Sequence, residues 1–271
     1  MTGIPEAAPE ETLRAVSAPQ VSVIVPAKDE RDNLRELIAE IAAALAGRTH
    51  EILVIDDGSR DGTGELLREI AAGMPALRAL RHETACGQSC SVRTGLHAAR
   101  GAVVVTIDGD GENDPAYIPA LLAALEAAGP GVALAAGQRT GRKASAAKRL
   151  ASRVANRLRS WLLADQTRDS GCGLKAIRRE VFLRLPYFDS WHRFLPALVL
   201  REGYGVTHVD IVDRHRRHGQ SKYGIFDRAL VGILDLYGVW WLRRRRKRIP
   251  QVSVLVDRQA ETVGQEAEAS R

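Results

Sequence analysis

Three cysteines in 271 residues are too few, and odd in number, for a disulfide framework, which points to a reducing compartment. The first twenty residues carry Glu6, Glu10 and Glu11, with no basic start and no apolar stretch, so no signal peptide is expected. No charge-free apolar run reaches the ~18–20 residues that a membrane-spanning helix needs. The dinucleotide fingerprint G-x-G-x-x-G is missing, because Gly58, Gly62 and Gly64 do not make that spacing. There is no internal repeat. These absences exclude a secreted mini-protein, a collagen-like fibre and a multi-span membrane protein, and disfavour a dinucleotide-binding Rossmann domain. A cytosolic globular protein is expected, with 45% hydrophobic residues for a core and 27% charged residues.

The net charge of +6 is unevenly placed. Residues 1–20 and 249–271 each carry −2, which leaves +10 on residues 21–248. Eight basic residues and no acid fall between Arg139 and Ala164, and six more run from Arg243 to Arg248. Two concentrated basic segments on a mildly acidic body point to defined anionic partners. A solvated helix face and a basic tail are the plainer explanation of either segment alone.

Between Pro/Glu/Ala-rich and polar ends, β-branched runs alternate with helical periodicity. Val21–Val25, Glu51–Ile55, a weaker Ala76–Leu80, Ala102–Ile107 and Val132–Ala136 read as strands. Leu34, Leu37, Ile38, Ile41 and Leu45 have helical spacing, and further helices are predicted from about Gly62, over 88–99 and from Pro115. The β-α-β-α order with near-continuous apolar strands predicts an α/β fold: a Rossmann-like, mostly parallel sheet flanked by helices. Ligands of such sheets sit at the carboxyl ends of the strands. The acidic clusters fall there: Pro26 to Glu30, Asp56-Asp57-Gly58-Ser59 and Asp108-Gly109-Asp110.

Asp108 and Asp110 are two apart at a strand end, so their carboxylates point the same way if the strand persists. Gly109 between them allows close approach to the backbone. Paired carboxylates suit Mg²⁺ or Mn²⁺ shared with ligand phosphates, with Glu112 as a third group. An Asp/Gly turn is the alternative. A calcium EF-hand fails, because its Gly and Glu positions fall on Asn113 and Pro119.

The segments 23–30 (VIVPAKDE), 54–63 (VIDDGSRDGT) and 108–110 (DGD) resemble the family 2, GT-A type glycosyltransferases. Gly137-Gln138-Arg139, Lys148 through Asn156, Asp169 with Cys172-Gly173-Leu174-Lys175, and Gly219-Gln220-Ser221-Lys222 are similar to the dolichol-phosphate mannose synthase branch. The resemblance implies metal-dependent, inverting transfer of a hexose from a nucleotide sugar to a polyprenyl or dolichyl phosphate. GDP-mannose is the default donor, with a UDP-hexose or UDP-uronic acid as the alternative. It further implies that Pro26, Lys28, Glu30, Ile55, Asp57, Asp108, Gly109 and Asp110 bind the nucleotide sugar. Asp108, Asp110 and Glu112 would hold Mg²⁺ or Mn²⁺. Arg139, Lys148 and Ser152 would hold the acceptor phosphate, and Arg216 and Lys222 would close on the diphosphate. Asp110, Arg139, Arg216 and Lys222 thus form the catalytic set. Departures from the family pattern are Lys28-Asp29 in place of Tyr-Asn, Glu112 in place of Gln, and Cys86-Gly87-Gln88-Ser89 in place of a Gly-Lys pattern.

A phosphate acceptor with a second pKa of roughly 6 needs no general base. A saccharide or glycolipid acceptor would need one, and Asp169 is its candidate. A non-catalytic membrane adaptor is a third reading, opposed by the intact Asp108 and Asp110. Arg153, Arg157 and Arg159 are expected to be solvated or headgroup-facing. Residues 224–242 read as a helix with Phe226, Leu230, Ile233, Tyr237 and Trp240 on one face and Arg228, Gly232, Asp235 and Gly238 opposite. Trp240-Trp241 before the Arg run suits an interfacial amphipathic helix on anionic lipid; a core helix with a basic linker is the alternative.

The expected organisation is a disordered tail (1–19), the GT-A domain (20–223), the interfacial helix and basic anchor (224–248) and a flexible tail (249–271). Expected partners are a nucleotide sugar, a polyprenyl phosphate lipid and an anionic membrane surface at the cytoplasmic face, with room for a membrane protein partner. Nucleic acid is not expected, because few aromatics accompany the basic segment at 139–160. His82, Cys86 and Cys90 have spacing suggestive of zinc but no evident fourth ligand, and read as ordinary buried or loop residues.

Overall fold

The computed structural model describes residues 18–140, 159–160, 162–214 and 225–245. In chain order they form β1 (Val21–Ala27), α1 (Arg31–Ala44), β2 (His50–Asp56), α2 (Thr63–Gly73), β3 (Leu77–Arg81), α3 (Gln88–Ala98), β4 (Val103–Thr106), α4 (Ile118–Ala127), β5 (Val132–Arg139), β6 (Lys175–Arg178), α5 (Arg179–Arg184), α6 (Leu195–Arg201), β7 (Gly205–Ile211) and α7 (Ile225–Arg244). The strands make one sheet in the order β3-β2-β1-β4-β6-β5-β7. β6 pairs antiparallel with both β4 and β5; every other pair is parallel. The carboxyl ends of β1, β2, β4 and β5 therefore share one edge, and that edge carries the acidic clusters and Arg139.

Side chains alternate between two cores because a strand has period two. Val23 and Val25 of β1 pack with Leu34, Leu37, Ile38 and Ile41 of α1, while Ile24 faces Val92 and Leu96 of α3. Both faces are covered by helices, which is why the strands read as continuous apolar runs. The α3 approach is close: a β-carbon at Gly95 would lie 2.5 Å from Ile24 Cγ2. α1 buries one stripe at helical spacing, as its sequence predicts. Its first amide is satisfied from another loop, because Asp61 accepts from Arg31 N and Thr63 N, each at 3.0 Å. One carboxylate thus serves the starts of both α1 and α2.

The predicted strands are present within two residues of their expected limits, except that β5 runs three residues further, to Arg139. Pro115 opens a 3₁₀ turn over 115–117, capped by Asp114 Oδ1 on Ala116 N (2.8 Å), and α4 begins after it at Ile118. β6, β7, α5 and α6 carry no prior assignment. β6 has only four residues, too few for a periodic signature.

The surroundings of α7 and Arg159 correct two expectations. Val239 of α7 is buried, and Leu236, Trp240 and Leu242 pack on the core beside it. Ile233, Leu234, Tyr237 and Trp241 are 63%, 64%, 62% and 45% exposed. Trp240 therefore bridges the two faces, packing on the core while its ring stacks on exposed Tyr237 at 5.6 Å between centroids. The side chains of Phe226, Arg228 and Leu230 lie outside the described residues. Arg159 is not solvated: it is buried, ion-paired with the enclosed Asp165, and donates to Thr167 O at 2.5 Å. Among the described residues Arg159 is the cation paired with Asp165, and a buried carboxylate needs one. Arg153 and Arg157 lie outside the described residues. Among the described residues no helix is long and apolar enough to cross a membrane.

Candidate active site

A cleft of about 400 Å³ opens at the ends of β1, β2 and β3, lined by Lys28, Gly58, Arg60, Arg81, Glu83 and Thr84 among others. Lys28 Nζ donates to Gly58 O at 2.7 Å and ties the first strand end to the second. Gly58 has φ +66°, and a β-carbon there would lie 3.1 Å from Ala85 N, so the acidic turn packs directly on the loop before α3. Glu30 accepts from Asn33 Nδ2 at 2.7 Å at the start of α1. Pro26, next to last in β1, is half-buried. Ile55 is fully enclosed in the core against α3 and has no surface to offer a ligand.

Asp57 is buried and spends its carboxylate on its own chain. Oδ1 accepts from His82 Nδ1 and Cys86 N, and Oδ2 from Gly87 N, all at 2.8 Å. Burial would raise its carboxyl, but the Cys86 amide, His82 and the Gly87 amide together hold it below the usual carboxylate range. It clamps the β3–α3 loop that walls the cleft. Arg81, at the end of β3, pairs with buried Asp56 at 3.0 Å and donates to Ser59 O at 3.0 Å. Nothing in the sequence pattern singled out this cation.

Asp108 and Asp110 follow β4. Gln88 Nε2 donates to Asp108 Oδ1 at 2.7 Å, and Asp110 Oδ1 accepts from Glu112 N at 3.1 Å. Burial, then the Asp110 carboxylate, push Asp108 up to about 6; Lys175 and Arg139 pull the other way, and Glu112 adds to the rise. Asp108 and Asp110 supply hard oxygen donors whose mutual repulsion a divalent cation would relieve, a chemistry that suits Mg²⁺ or Mn²⁺, although Asp108, Asp110 and Glu112 do not converge within 4.8 Å as a three-ligand group. Gly109 serves packing: a β-carbon there would lie 2.8 Å from Pro26 O. Gly173 stands against the carboxylate itself, where a β-carbon would lie 2.3 Å from Asp108 Oδ2.

Opposite the acids lies a cationic group. Arg139 ends β5 and makes a two-pronged contact with Asp169, Nε–Oδ2 2.5 Å and Nη2–Oδ1 3.0 Å, with Asp213 at 3.5 Å from Nη1. Burial would lower its pKa, but the Asp169 hydrogen bond and charge raise it, so it stays ionised. Lys175 on β6 is buried and donates to Cys172 O. Burial lowers its ammonium, and the charges of Asp108 and Asp169 oppose that fall. His192 shares a 2.8 Å hydrogen bond with Ser89 Oγ through Nδ1. Burial first, then Lys175 and Arg193, push it down to about 3, so it is a neutral imidazole. Lys175 and His192 were missed as site residues because their neighbours lie up to 103 positions away.

The structure thus brings Lys28, Asp57, Asp108, Gly109, Asp110, Glu112 and Arg139 to one edge. Lys148, Ser152, Arg216 and Lys222 lie outside the described residues. Asp213 and Arg214 are tied to the acidic loop: Asn113 Nδ2 to Asp213 Oδ1 3.2 Å, Arg214 N to Glu112 O 2.8 Å and Arg214 Nη2 to Asp114 Oδ1 2.5 Å.

Residues 22–185 match the protein-family model described as Glycosyl transferase family 2. The dodecaprenyl-phosphate galacturonate synthase of Rhizobium johnstonii is 31% identical over 248 residues, covering 88% of this chain and 72% of that protein. The undecaprenyl-phosphate 4-deoxy-4-formamido-L-arabinose transferase of Edwardsiella ictaluri is 34% identical over 209 residues, covering 76% of this chain and 63% of that protein. The chain thus spans less than two thirds of the second relative's length. Among solved structures, glucosyl-3-phosphoglycerate synthase from Mycobacterium tuberculosis, in complex with Mn²⁺, UDP-glucose and glycerol 3-phosphate, superposes with TM-score 0.61 at 24% identity, over 87% of this chain and 83% of that one. A mannosyltransferase from Pyrobaculum calidifontis, in complex with GDP-Man and Mn²⁺, gives TM-score 0.61 at 21% identity, over 87% and 67%.

Proposed function

The chain belongs to glycosyl transferase family 2, and from that membership we propose that it transfers a glycosyl group from a nucleotide sugar to a polyprenyl phosphate, giving a lipid-phosphate-linked monosaccharide. The observation that carries this reading is the Asp108–Asp110 pair standing beside the half-buried Arg139 and the buried Lys175 at one sheet edge. One side suits a cation with a diphosphate, the other a phosphate. The two polyprenyl-phosphate relatives support the same acceptor.

Asp108, Asp110 and Glu112 would hold the divalent cation, which when bound offsets the charge of the leaving diphosphate. Gln88 and Gly173 fix the position of Asp108, and Asp169 with Asp213 aims Arg139. In the proposed step an acceptor phosphate oxygen bonds to the anomeric carbon as the bond to the diphosphate oxygen breaks. The electron pair leaves with the nucleoside diphosphate, and the anomeric centre inverts. A phosphate monoester with a second pKa of roughly 6 is already largely ionised, so no proton has to be removed. His192, at about 3, is too weak a base to take one near neutrality. Asp169 is engaged by Arg139 and by Gly171 N, which argues against its serving as the base for a saccharide acceptor.

The donor is proposed among GDP-mannose, UDP-hexoses and UDP-uronic acids. The relatives are named for galacturonate and 4-deoxy-4-formamido-L-arabinose, and the neighbours are complexes with UDP-glucose and GDP-Man. The outer face of α7, with Ile233, Leu234, Tyr237 and Trp241, precedes the basic run 243–248 and supports peripheral attachment to an anionic membrane surface, on its cytoplasmic face.

The test is turnover with Mg²⁺ or Mn²⁺, a panel of labelled sugar nucleotides and short-chain polyprenyl phosphates. A lipid-linked monosaccharide from one donor supports the proposal. Transfer only to saccharides, or no turnover with any donor, overturns it.

A further inference from the structure

Beside the nucleotide cleft lies a second convergence of ligand atoms that the proposed transfer does not use. His82 follows β3, Cys86 lies in the next loop, and Cys90 sits in the first turn of α3. A His82 ring nitrogen and the two thiol sulfurs all lie within 4.8 Å of one another. Tertiary structure therefore brings together three groups that read in the sequence as ordinary buried or loop residues.

A second observation concerns what holds the histidine. Asp57 Oδ1 accepts from His82 Nδ1 at 2.8 Å, which puts the ring proton on Nδ1 and leaves Nε2 as the nitrogen with a lone pair to offer. A carboxylate behind the outer nitrogen of a histidine orients the ring and raises its basicity toward a metal. His82 Nε2 is now 2.9 Å from Thr94 Oγ1, whose hydroxyl is a displaceable donor. Asp57 also receives the Cys86 and Gly87 amides, so the same carboxylate positions the loop that carries the first thiol. Cys86 is exposed, which leaves a path for an ion to enter.

We propose that His82, Cys86 and Cys90 form a second metal site, a thiolate–imidazole site for one thiophilic cation of the Zn²⁺ class. Its chemistry is unlike that of the Asp108–Asp110 pair: sulfur and imidazole select soft and borderline ions, whereas carboxylates select Mg²⁺ or Mn²⁺. Three protein ligands leave a fourth position for water, as in exchangeable sites rather than closed structural ones. On loading, both thiols release their protons to solvent as two sulfur–metal bonds form. Nε2 exchanges the Thr94 hydrogen bond for the third metal bond, and the proton stays on His82 Nδ1, donated to Asp57. The bound ion would pin the β3–α3 loop to the helix whose Gln88 holds Asp108.

Cobalt substitution tests this without any glycosyl donor. Reduced protein is titrated with Co²⁺ under anaerobic conditions in excess Mg²⁺, which occupies carboxylate sites and leaves thiolates free. A sulfur-to-cobalt charge-transfer band that saturates at one equivalent and is displaced by Zn²⁺ is expected. Cys86→Ser, at an exposed position, and Cys90→Ser should each abolish the one-equivalent site, while Cys172→Ser keeps it. Asp57→Asn should weaken Co²⁺ binding by about 10- to 100-fold. Circular dichroism confirms that the variants are folded. Absence of the band in the wild type, a band unchanged in His82→Gln, or one that depends on Cys172 overturns the proposal.

Discussion

Substituting Gly173 by alanine aims a single methyl group at the acidic pair. A β-carbon there would lie 2.3, 2.4 and 2.6 Å from Asp108 Oδ2, Cγ and Oδ1. Ordinary contact between such atoms is about 3.5 Å, so one side must move by roughly 1 Å. The glycine is held, because its carbonyl accepts from Thr106 Oγ1 at 2.7 Å in a loop joined to the central strands. The Asp108 side chain is the softer partner, and its turning away forfeits the 2.7 Å Gln88 hydrogen bond. Displacing a catalytic group by ~1 Å costs on the order of 100-fold in rate, equivalent to about 3 kcal/mol of transition-state stabilisation. Gly173→Ala should therefore lower kcat/KM by about 100-fold and raise the metal concentration for half-activity, with a thermal midpoint close to wild type. Steady-state kinetics across a metal titration, paired with calorimetry, make the check. Wild-type kcat/KM with an unchanged metal requirement would refute the placement of Asp108.

Three further outcomes follow from other contacts. Asp108 has a folded pKa of about 6, above its unfolded value near 3.9. Its contribution to metal-free stability is therefore full below the unfolded pKa and lost as pH rises through about 6, on the order of 2–3 kcal/mol. His192, lowered to about 3, acts in the opposite sense over part of that range, so urea titrations should compare wild type with Asp108→Asn, which removes only the first effect. A variant no more stable than wild type at pH 8 would contradict the crowding of carboxylates. Gly95→Ala would set a β-carbon 2.5 Å from Ile24 Cγ2 and should cost about 1–3 kcal/mol by chemical denaturation; a neutral effect would mean α3 shifts freely. Tyr237→Ser with Trp241→Ser should reduce sedimentation with anionic liposomes while preserving turnover on a water-soluble short-chain acceptor; equal losses would remove α7 from the membrane contact.

The strands at 21–27, 50–56 and 103–106 were legible because a doubly covered parallel strand is apolar along its whole length. Their acidic ends were legible because polar residues that terminate such runs gather where the strands end. Other features depend on distance in sequence. Lys175 sits on a four-residue strand whose antiparallel place between β4 and β5 brings it near Asp108, and no local pattern encodes that pairing. Ser89 meets His192 across 103 residues. Asp57 was singled out by family resemblance as a nucleotide contact, and its second role as clamp of the β3–α3 loop rests on partners 25 to 30 positions away that no local pattern shows. The division of α7 into faces was only partly legible, because Trp240 stacks on exposed Tyr237 and also packs on the core, and hydrophobicity alone does not show the second contact.

The central claim is that the nucleophile is a phosphate oxygen, and a matched pair of acceptors tests it most directly. A short-chain polyprenyl phosphate and the corresponding free polyprenol are incubated with the same sugar nucleotide and Mn²⁺, and products are identified by mass. The predicted result is one glycosyl residue added to the phosphate, none to the alcohol, and no product with Asp110→Ala. Glycosylation of the free polyprenol at a comparable rate would contradict the account, because that reaction requires a base strong enough to take the hydroxyl proton.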